Sequence, residues 1–193
     1  MDDRALLYNK DLLKRAGLVD ANGEARPPRD WDELRDFAVR LTERDPKGNL
    51  QTVGFAPNYG NSWLYMYGWM AGGEFMSADG RRCTLNDPPI VEALRYMTEL
   101  YDLQGGYRDV MAFQSGFQSG ELDPFLTGKV AMKIDGVWQM PFLAQFGRDV
   151  DWAVAPPPLP KREIARGRAT VTWNGGWAYA IPATARNKAA DTE

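Results

Sequence analysis

The 193 residues carry 23 Lys and Arg against 26 Asp and Glu, a net charge of −3, with 44% apolar residues, one cysteine and no histidine. That length and balance describe a folded chain of one domain, or one lobe of something larger, and not a disordered one. The missing histidines exclude His-based triads and His-ligated zinc, the single Cys83 excludes an internal disulfide or Cys-cluster metal site, and no basic tract or run of about 18 apolar residues points to nucleic acid or a membrane span.

Residues 5–8 form an apolar, strand-like run, and Asn9 is placed to cap a helix over 10–16 that Gly17 ends. Residues 19–29 are a turn-rich connection. Asp30 opens a strong helix, with Glu33 three residues on as in a capping box and with Trp31, Leu34, Phe37, Ala38 and Leu41 on one buried stripe. Residues 45–49 read as a loop and 52–56 as a short buried strand. Residues 61–71 are apolar nearly all round, which predicts a buried helix stopped by Gly72-Gly73; Ala78-Asp79-Gly80 marks a turn. Asp87 and Pro88 start the clearest helix, whose Ile90, Val91, Leu94, Met97, Leu100 and Tyr101 form its apolar face until Gly105-Gly106. The Gly, Ser and Gln-rich stretch 107–120 predicts a mobile surface loop. A short helix is expected at 122–126, a buried strand at 130–134, a helix over 137–146 and a strand at 152–155 that stops at three prolines. Residues 161–168 read as a basic loop, and 170–181 as two strand-like runs around Asn174-Gly175-Gly176. Alternating helices and short strands make the class α/β.

Both ends read as interior ones. Met1 stands directly before a strand without a secretion leader, and 187–193 resemble the first turns of a helix with no stop signal. A piece of a longer protein is the expectation.

Catalytic signals are sparse. Asp135, Asp123, Glu121 and Asp151 could supply a glycosidase pair about 5–10 Å apart, but any acidic α/β domain offers such candidates. Gly-x-Ser-x-Gly, phosphate-loop and Gly-x-Gly-x-x-Gly patterns are missing. Residues 45–49 lack the alternating oxygen ligands of a calcium loop, so no metal and no cofactor is expected.

The aromatic residues stand out instead: seven Trp, eight Tyr and eight Phe. Trp63, Tyr65, Tyr67 and Trp69 crowd one segment beside Asn61 and Ser62. Trp138 follows Asp135-Gly136 at a strand end, and Trp173 and Trp177 flank Asn174-Gly175-Gly176. Sugars present apolar C–H faces rimmed by hydroxyls, so their sites need flat rings beside fixed polar groups. Asp135 is placed to accept from hydroxyls while Trp138 stacks, and a helix starting after Gly136 would turn free N–H groups to the same place. Ligands of open α/β sheets collect at such carboxyl ends of strands. Core packing competes for the same rings. Trp31, Trp69 and Trp152 are assigned to the core; for Trp138 and Trp177, beside glycines at element ends, periodicity does not decide.

The run Leu7-Tyr8-Asn9-Lys10-Asp11-Leu12-Leu13-Lys14-Arg15-Ala16-Gly17-Leu18, followed by Pro28-Arg29-Asp30-Trp31-Asp32-Glu33-Leu34, resembles the entry to the C-terminal lobe of family 1 extracellular solute-binding proteins. These are the maltose-binding-protein-like, sugar-binding components of ABC importers. Gly72-Gly73-Glu74-Phe75, Leu85-Asn86-Asp87-Pro88, Val91-Glu92-Ala93-Leu94, the stretch from Gly128 to Trp138 and Gly175-Gly176-Trp177-Ala178-Tyr179-Ala180-Ile181-Pro182 continue the likeness in order over almost the whole chain.

The resemblance implies one lobe of a periplasmic-binding-protein-like type II fold, a short mixed sheet flanked by helices, with closure about a hinge. Residues 1–8 would be the outgoing hinge strand, 9–174 the C-terminal lobe, and 175–193 the returning hinge strand and the start of a truncated helix. Trp138 matches the family's stacking aromatic, and Gly175, Gly176 and Trp177 its hinge-side cleft lining. Trp63 and Tyr65 lie near a second stacking position, without a spacing that chooses between them. Asp135, Gly136 and Asn174 complete the expected ligand-binding set. The implied function is non-catalytic binding of a sugar or oligosaccharide in an interlobe cleft and its delivery to the membrane permease subunits of an ABC importer, at the periplasmic or extracellular face. The partners would then be the ligand, the permease and a missing N-terminal lobe, with no nucleic acid. Two alternatives stand beside it: a carbohydrate-active enzyme fragment using Asp135, and a protein-interaction module whose exposed aromatics meet a partner chain.

Overall fold

The computed structural model describes residues 2–59, 63–175, 180, 181 and 184. Strand β1 (Asp2–Asn9) is the centre of the architecture. Successive strand side chains point to opposite faces. Leu6 and Tyr8 therefore enter the main core, while Leu7 packs with Phe125 and Leu143 on the other side. Burial on both faces is why residues 5–8 of this strand are all apolar or aromatic. Asn9 then accepts the Leu12 N–H at 3.0 Å and starts α1 (Lys10–Arg15), which ends before Gly17 at φ 68°.

Helix α2 (Trp31–Arg40) is capped by Asp30, whose Oδ1 accepts from the N–H groups of Asp32 and Glu33, both at 2.9 Å. The expected capping box is displaced by one residue. Glu33 reaches back to the Arg29 N–H at 2.9 Å and pairs with the guanidinium groups of Arg29 and Arg26. Those bonds, Arg29 first, hold its carboxyl down at about 2 against an ordinary 4.5. Replacement by glutamine, E33Q, is expected to cost about 1 kcal/mol at pH 7, held down by solvent around the largely exposed Arg29. Because the folded value lies below the unfolded one, this stability is full above about pH 4.5 and is lost as pH falls toward 2. Urea unfolding of both proteins at pH 7 and near pH 2 reads the difference.

The sheet continues with β2 (Glu43–Arg44) and β3 (Leu50–Phe55). After α3 (Leu64–Met70), α4 (Pro88–Leu103) and α5 (Tyr107–Gln114) come β4 (Val130–Gly136), α6 (Gln139–Phe146), β5 (Trp152–Ala155), α7 (Lys161–Ala165) and β6 (Asn174–Gly175). The strand order is β2-β3-β4-β1-β5, with β6 paired to the start of β1. β3 and β4 run parallel, and β1 is antiparallel to β4, β5 and β6. Helices α1 to α4 cover one face and α6 the other, giving a mixed α/β sandwich of three layers. Trp31 stacks on Tyr96 at 4.0 Å between ring centres, and the Tyr96 hydroxyl donates to the Trp31 carbonyl at 2.9 Å. At the end of α4, buried Gln104 donates to the carbonyls of Phe55 and Leu100 and accepts from the Phe55 N–H, fastening the helix to β3.

Several expectations fail for physical reasons. The stretch 107–120 is not all loop: α5 forms because Val110 buries itself against Leu50, Val53 and Tyr101. The basic loop at 161–168 contains α7, which turns Glu163 inward to meet Arg162, Arg166 and Arg168 within 3.3 Å. The helix expected over 122–126 is instead the 3-10 turn Gly120–Leu122 followed by turns. Helix α3 begins at Leu64 and is one-sided, with Met66, Tyr67 and Met70 buried but Trp63 exposed before it; residues 61 and 62 lie outside the described residues. Asp87 occupies the cap position of α4, yet its carboxylate faces Arg82 and not the helix N–H groups. Of the two strand-like runs in 170–181, only β6 forms among the described residues.

Candidate functional site

The strand β4 reads Val130-Ala131-Met132-Lys133-Ile134-Asp135-Gly136. Its alternation sends Met132 and Ile134 into the main core and places Lys133 and Asp135 together on the opposite face. Asp123 arrives there from the turn after Gly120–Leu122, its Oδ1 fixed by the Phe125 N–H at 2.9 Å. Lys133 Nζ lies 2.9 Å from Asp135 Oδ2 and 3.2 Å from Asp123 Oδ2, and the side chain is 0% exposed. The other oxygen of Asp135 accepts from the Gly136 N–H at 2.8 Å. Burial pushes the Asp135 carboxyl above its ordinary range, with Lys133 pulling the other way. Tyr59 closes the cluster. Its ring lies 5.1 Å from Lys133 Nζ, and its hydroxyl, hydrogen-bonded to Asp123, is pushed up chiefly by burial.

Above this cluster is a cavity of about 290 Å³ lined by Tyr59, Asp123, Asp135, Trp138, Gln139 and Phe142, among others. Half-buried Trp138 stands at the N-cap of α6, so the helix expected just after Gly136 begins two residues later. One face of its indole is taken by Arg4 of β1, whose guanidinium carbon is 4.2 Å from the ring centre and 5.0 Å from that of Trp173. Trp173 leads on to Tyr65 at 6.1 Å, and Tyr65 to Trp63 at 5.6 Å and Trp69 at 5.3 Å. Three parts of the chain thus contribute rings to one aromatic row, with Arg4 of β1 bridging Trp138 and Trp173. Past Trp173 a second cavity, of about 370 Å³, is lined by Trp69, Glu74, Arg168, Thr172, Trp173 and Asn174, together with Val171.

The expected residues fall into three groups. Trp138 and Asp135 meet at the first cavity, Gly136 stands behind them as a donor to Asp135, and Trp63 and Tyr65 join them through Trp173 and Arg4. Asn174 and Gly175 do not. Asn174 lines the second cavity and donates to Asp3 Oδ1 at 2.6 Å, and Gly175 pairs with Asp2. Gly176 and Trp177 lie outside the described residues. Asp135 is also less available than its position suggested, since both of its oxygens already have protein partners. Among the rings assigned to the core, Trp31 is buried there and half-buried Trp152 packs beside Leu7, Phe125 and Leu143; Trp69 instead stays half-exposed along the second cavity. Of the other carboxylates, Asp151 pairs with Lys10 at 2.8 Å near the far end of β1, and Glu121 is exposed; neither lines the first cavity.

Arg4, Tyr59, Lys133, Gln139 and Trp173 were not among the expected site residues. Lys133 carried a usable signal, a lone cation in a strand that is otherwise apolar up to Asp135. Gln139 and Arg4 carried none, because a polar residue at an element end is ordinary on a surface.

A family model described as bacterial extracellular solute-binding protein matches residues 2–193. Among solved structures, CpMnBP1 with mannobiose bound is 29% identical, with a TM-score of 0.71 over 82% of this chain and 39% of its own. An ABC substrate-binding protein from Listeria monocytogenes in complex with cycloalternan is 27% identical, with a TM-score of 0.64 over 82% of this chain and 38% of that one. An ABC transporter solute binding protein from Thermotoga lettingae bound with alpha-D-tagatose is 25% identical, with a TM-score of 0.70 over 98% of this chain and 45% of that one. A curated relative, a probable ABC transporter-binding protein of Deinococcus radiodurans, is 30% identical over 103 residues, 49% of this chain and 22% of that protein. The chain spans less than half the length of each of these relatives.

Proposed function

Since the chain belongs to the bacterial extracellular solute-binding protein family, we propose that it supplies one face of a carbohydrate-binding cleft whose other face comes from a second lobe. Its fold is that of the periplasmic-binding-protein-like type II sugar-binding proteins. In this reading residues 1–8 and 175–193 are hinge segments and 9–174 the lobe. The protein binds a sugar or oligosaccharide without chemical change at the periplasmic or extracellular face and hands it to the permease subunits of an ABC importer. The observation that carries the reading is the aromatic row Trp63, Tyr65, Trp173 and Trp138 beside a cavity floored by carboxylates. Rings stack on the C–H faces of pyranoses, and fixed acceptors hold their hydroxyls. The mannobiose, cycloalternan and tagatose bound by similar proteins support the ligand class. Trp138, Asp135, Gly136, Trp63 and Tyr65 are proposed as ligand contacts at or next to this cavity, with Gly175, Gly176, Trp177 and Asn174 on the hinge side.

The test is a titration of the full-length protein with neutral sugars, oligosaccharides and polyols, followed by tryptophan fluorescence. Saturable binding of a saccharide is the expected result. Indifference to every saccharide and polyol, together with binding of another solute class, overturns the assignment.

A further inference from the structure

Arg4 lies near the start of β1, opposite Gly136 in the strand register, and is 5% exposed. Its guanidinium meets two indoles from distant parts of the chain. One is Trp138, which caps α6, at 4.2 Å from the guanidinium carbon to the ring centre; the other is Trp173, just before β6, at 5.0 Å. A guanidinium over an indole is held by the ring quadrupole, and the attraction strengthens as water is excluded. Burial of Arg4 places both contacts in that regime.

The seat of Trp173 is built as closely. The Thr172 hydroxyl donates to the Arg4 carbonyl at 2.5 Å, and the Asn174 amide donates to Asp3 Oδ1 at 2.6 Å, so both chain neighbours of Trp173 are tied to β1. Gly175 leaves room for the ring, since a Cβ there would overlap the indole at Cζ2 and Cη2. The backbone at Gly175 is outside the left-handed region, so it is the ring and not the dihedral that keeps a side chain out. A ring fixed before the solute arrives loses little freedom on stacking, whereas one that must be ordered subtracts from affinity.

We infer that Arg4 is a positioning residue that sets Trp138 and Trp173 as a single two-ring platform, with Gly175 as the seat of the Trp173 indole. Arg4 acts through the rings, and this role rests on the carbohydrate reading above.

The experiment uses the full-length protein in calorimetric titrations with mannobiose, maltose and cellobiose, and the tightest binder is carried through the variants. Arg4→Met, which keeps much of the stem and removes the cation, is expected to bind it about tenfold more weakly. Arg4→Lys, which keeps a cation but loses the flat guanidinium, is expected to lose about threefold. In a Trp138→Ala background R4M is expected to cost about threefold or less, because one of the rings it positions is already gone. Gly175→Ala is expected to weaken binding about fivefold by displacing Trp173, and to add no further loss in Trp173→Ala. A second readout needs no ligand: in protein labelled with fluorotryptophan, with resonances assigned by single Trp→Phe exchanges, Trp138 and Trp173 are expected to shift in R4M while Trp31 stays. A purely structural arginine would move Trp31 as well. Equal losses from R4M with and without Trp138, or unmoved Trp138 and Trp173 resonances, overturn the role of Arg4 and leave the carbohydrate reading standing. Failure of the wild-type protein to bind any saccharide overturns that reading, while the fluorine spectra still decide whether Arg4 sets the rings.

Discussion

Lys133→Met is expected to destabilise the protein by about 3–5 kcal/mol at pH 7, the cost of removing the one cation from a buried charge cluster. Asp123 and Asp135 are both buried and both hold that ammonium group within 3.2 Å. Methionine fills the same volume between Tyr59 and Phe125 but leaves two carboxylates facing each other without compensation. Removing all three charges at once, as D123N/K133M/D135N, is expected to recover much of the loss, because most of the penalty comes from the orphaned anions and not from any large net gain of the native cluster. Burial already raises the Asp135 carboxyl in the wild type. A carboxyl raised by folding favours the folded state below its unfolded value and loses that contribution as pH rises through its folded value. The deficit of K133M should therefore shrink as pH is lowered toward the carboxylate range. Urea denaturation of the three proteins at pH 7 and at pH 4.5 measures both statements. A loss below 1 kcal/mol in K133M would show that water reaches the cluster.

Trp138→Ala is expected to weaken carbohydrate binding by a factor of about 30 or more, the magnitude of an aromatic anchor at the centre of an interface. The physical basis is that the indole is held before the ligand arrives. Arg4, buried in β1, sits against one face at 4.2 Å, so the ring loses little freedom on stacking. Folding should suffer far less than binding, since Trp138 is only half-buried and belongs to no core cluster. Trp138→Phe should retain part of the affinity. Trp31→Ala gives the contrast: it removes a ring stacked at 4.0 Å in the core and should lower the melting temperature first. Paired calorimetric titrations and thermal melts of the three variants separate the two roles. Unchanged affinity in W138A would remove the indole from the site.

How far the sequence reaches is visible in particular elements. α2 and α4 were legible because each combines a start signal with a 3.6-residue apolar stripe, and those are local properties of the chain. α5 and α7 were not. Their sequences are polar or Gly-flanked; α5 is helical because Val110 finds Leu50 and Val53, distant in the sequence, and α7 turns Glu163 inward among neighbouring arginines that read as an exposed basic loop. The aromatic row shows the same division. The proposal of Trp63, Tyr65 and Trp138 as site residues followed from their clustering and from the family likeness. That Trp173 and Arg4 bridge them required β1 and β6 to pair at Asp2 and Asp3, about 170 residues apart in the chain.

By itself, then, the sequence determined the class of the protein. Alternating helices and short strands specify the α/β class, because periodicity and composition act within a few residues of each position, and the ordered family likeness supplied the expectation of a binding lobe. Only the tertiary structure decided which polar groups matter. Asp135 looked like a free acceptor and is clamped by Lys133; Gln139 looked like an ordinary helix residue and is buried at the edge of the same cavity. Partnership depends on what the fold brings within about 3 Å, and no local pattern encodes it.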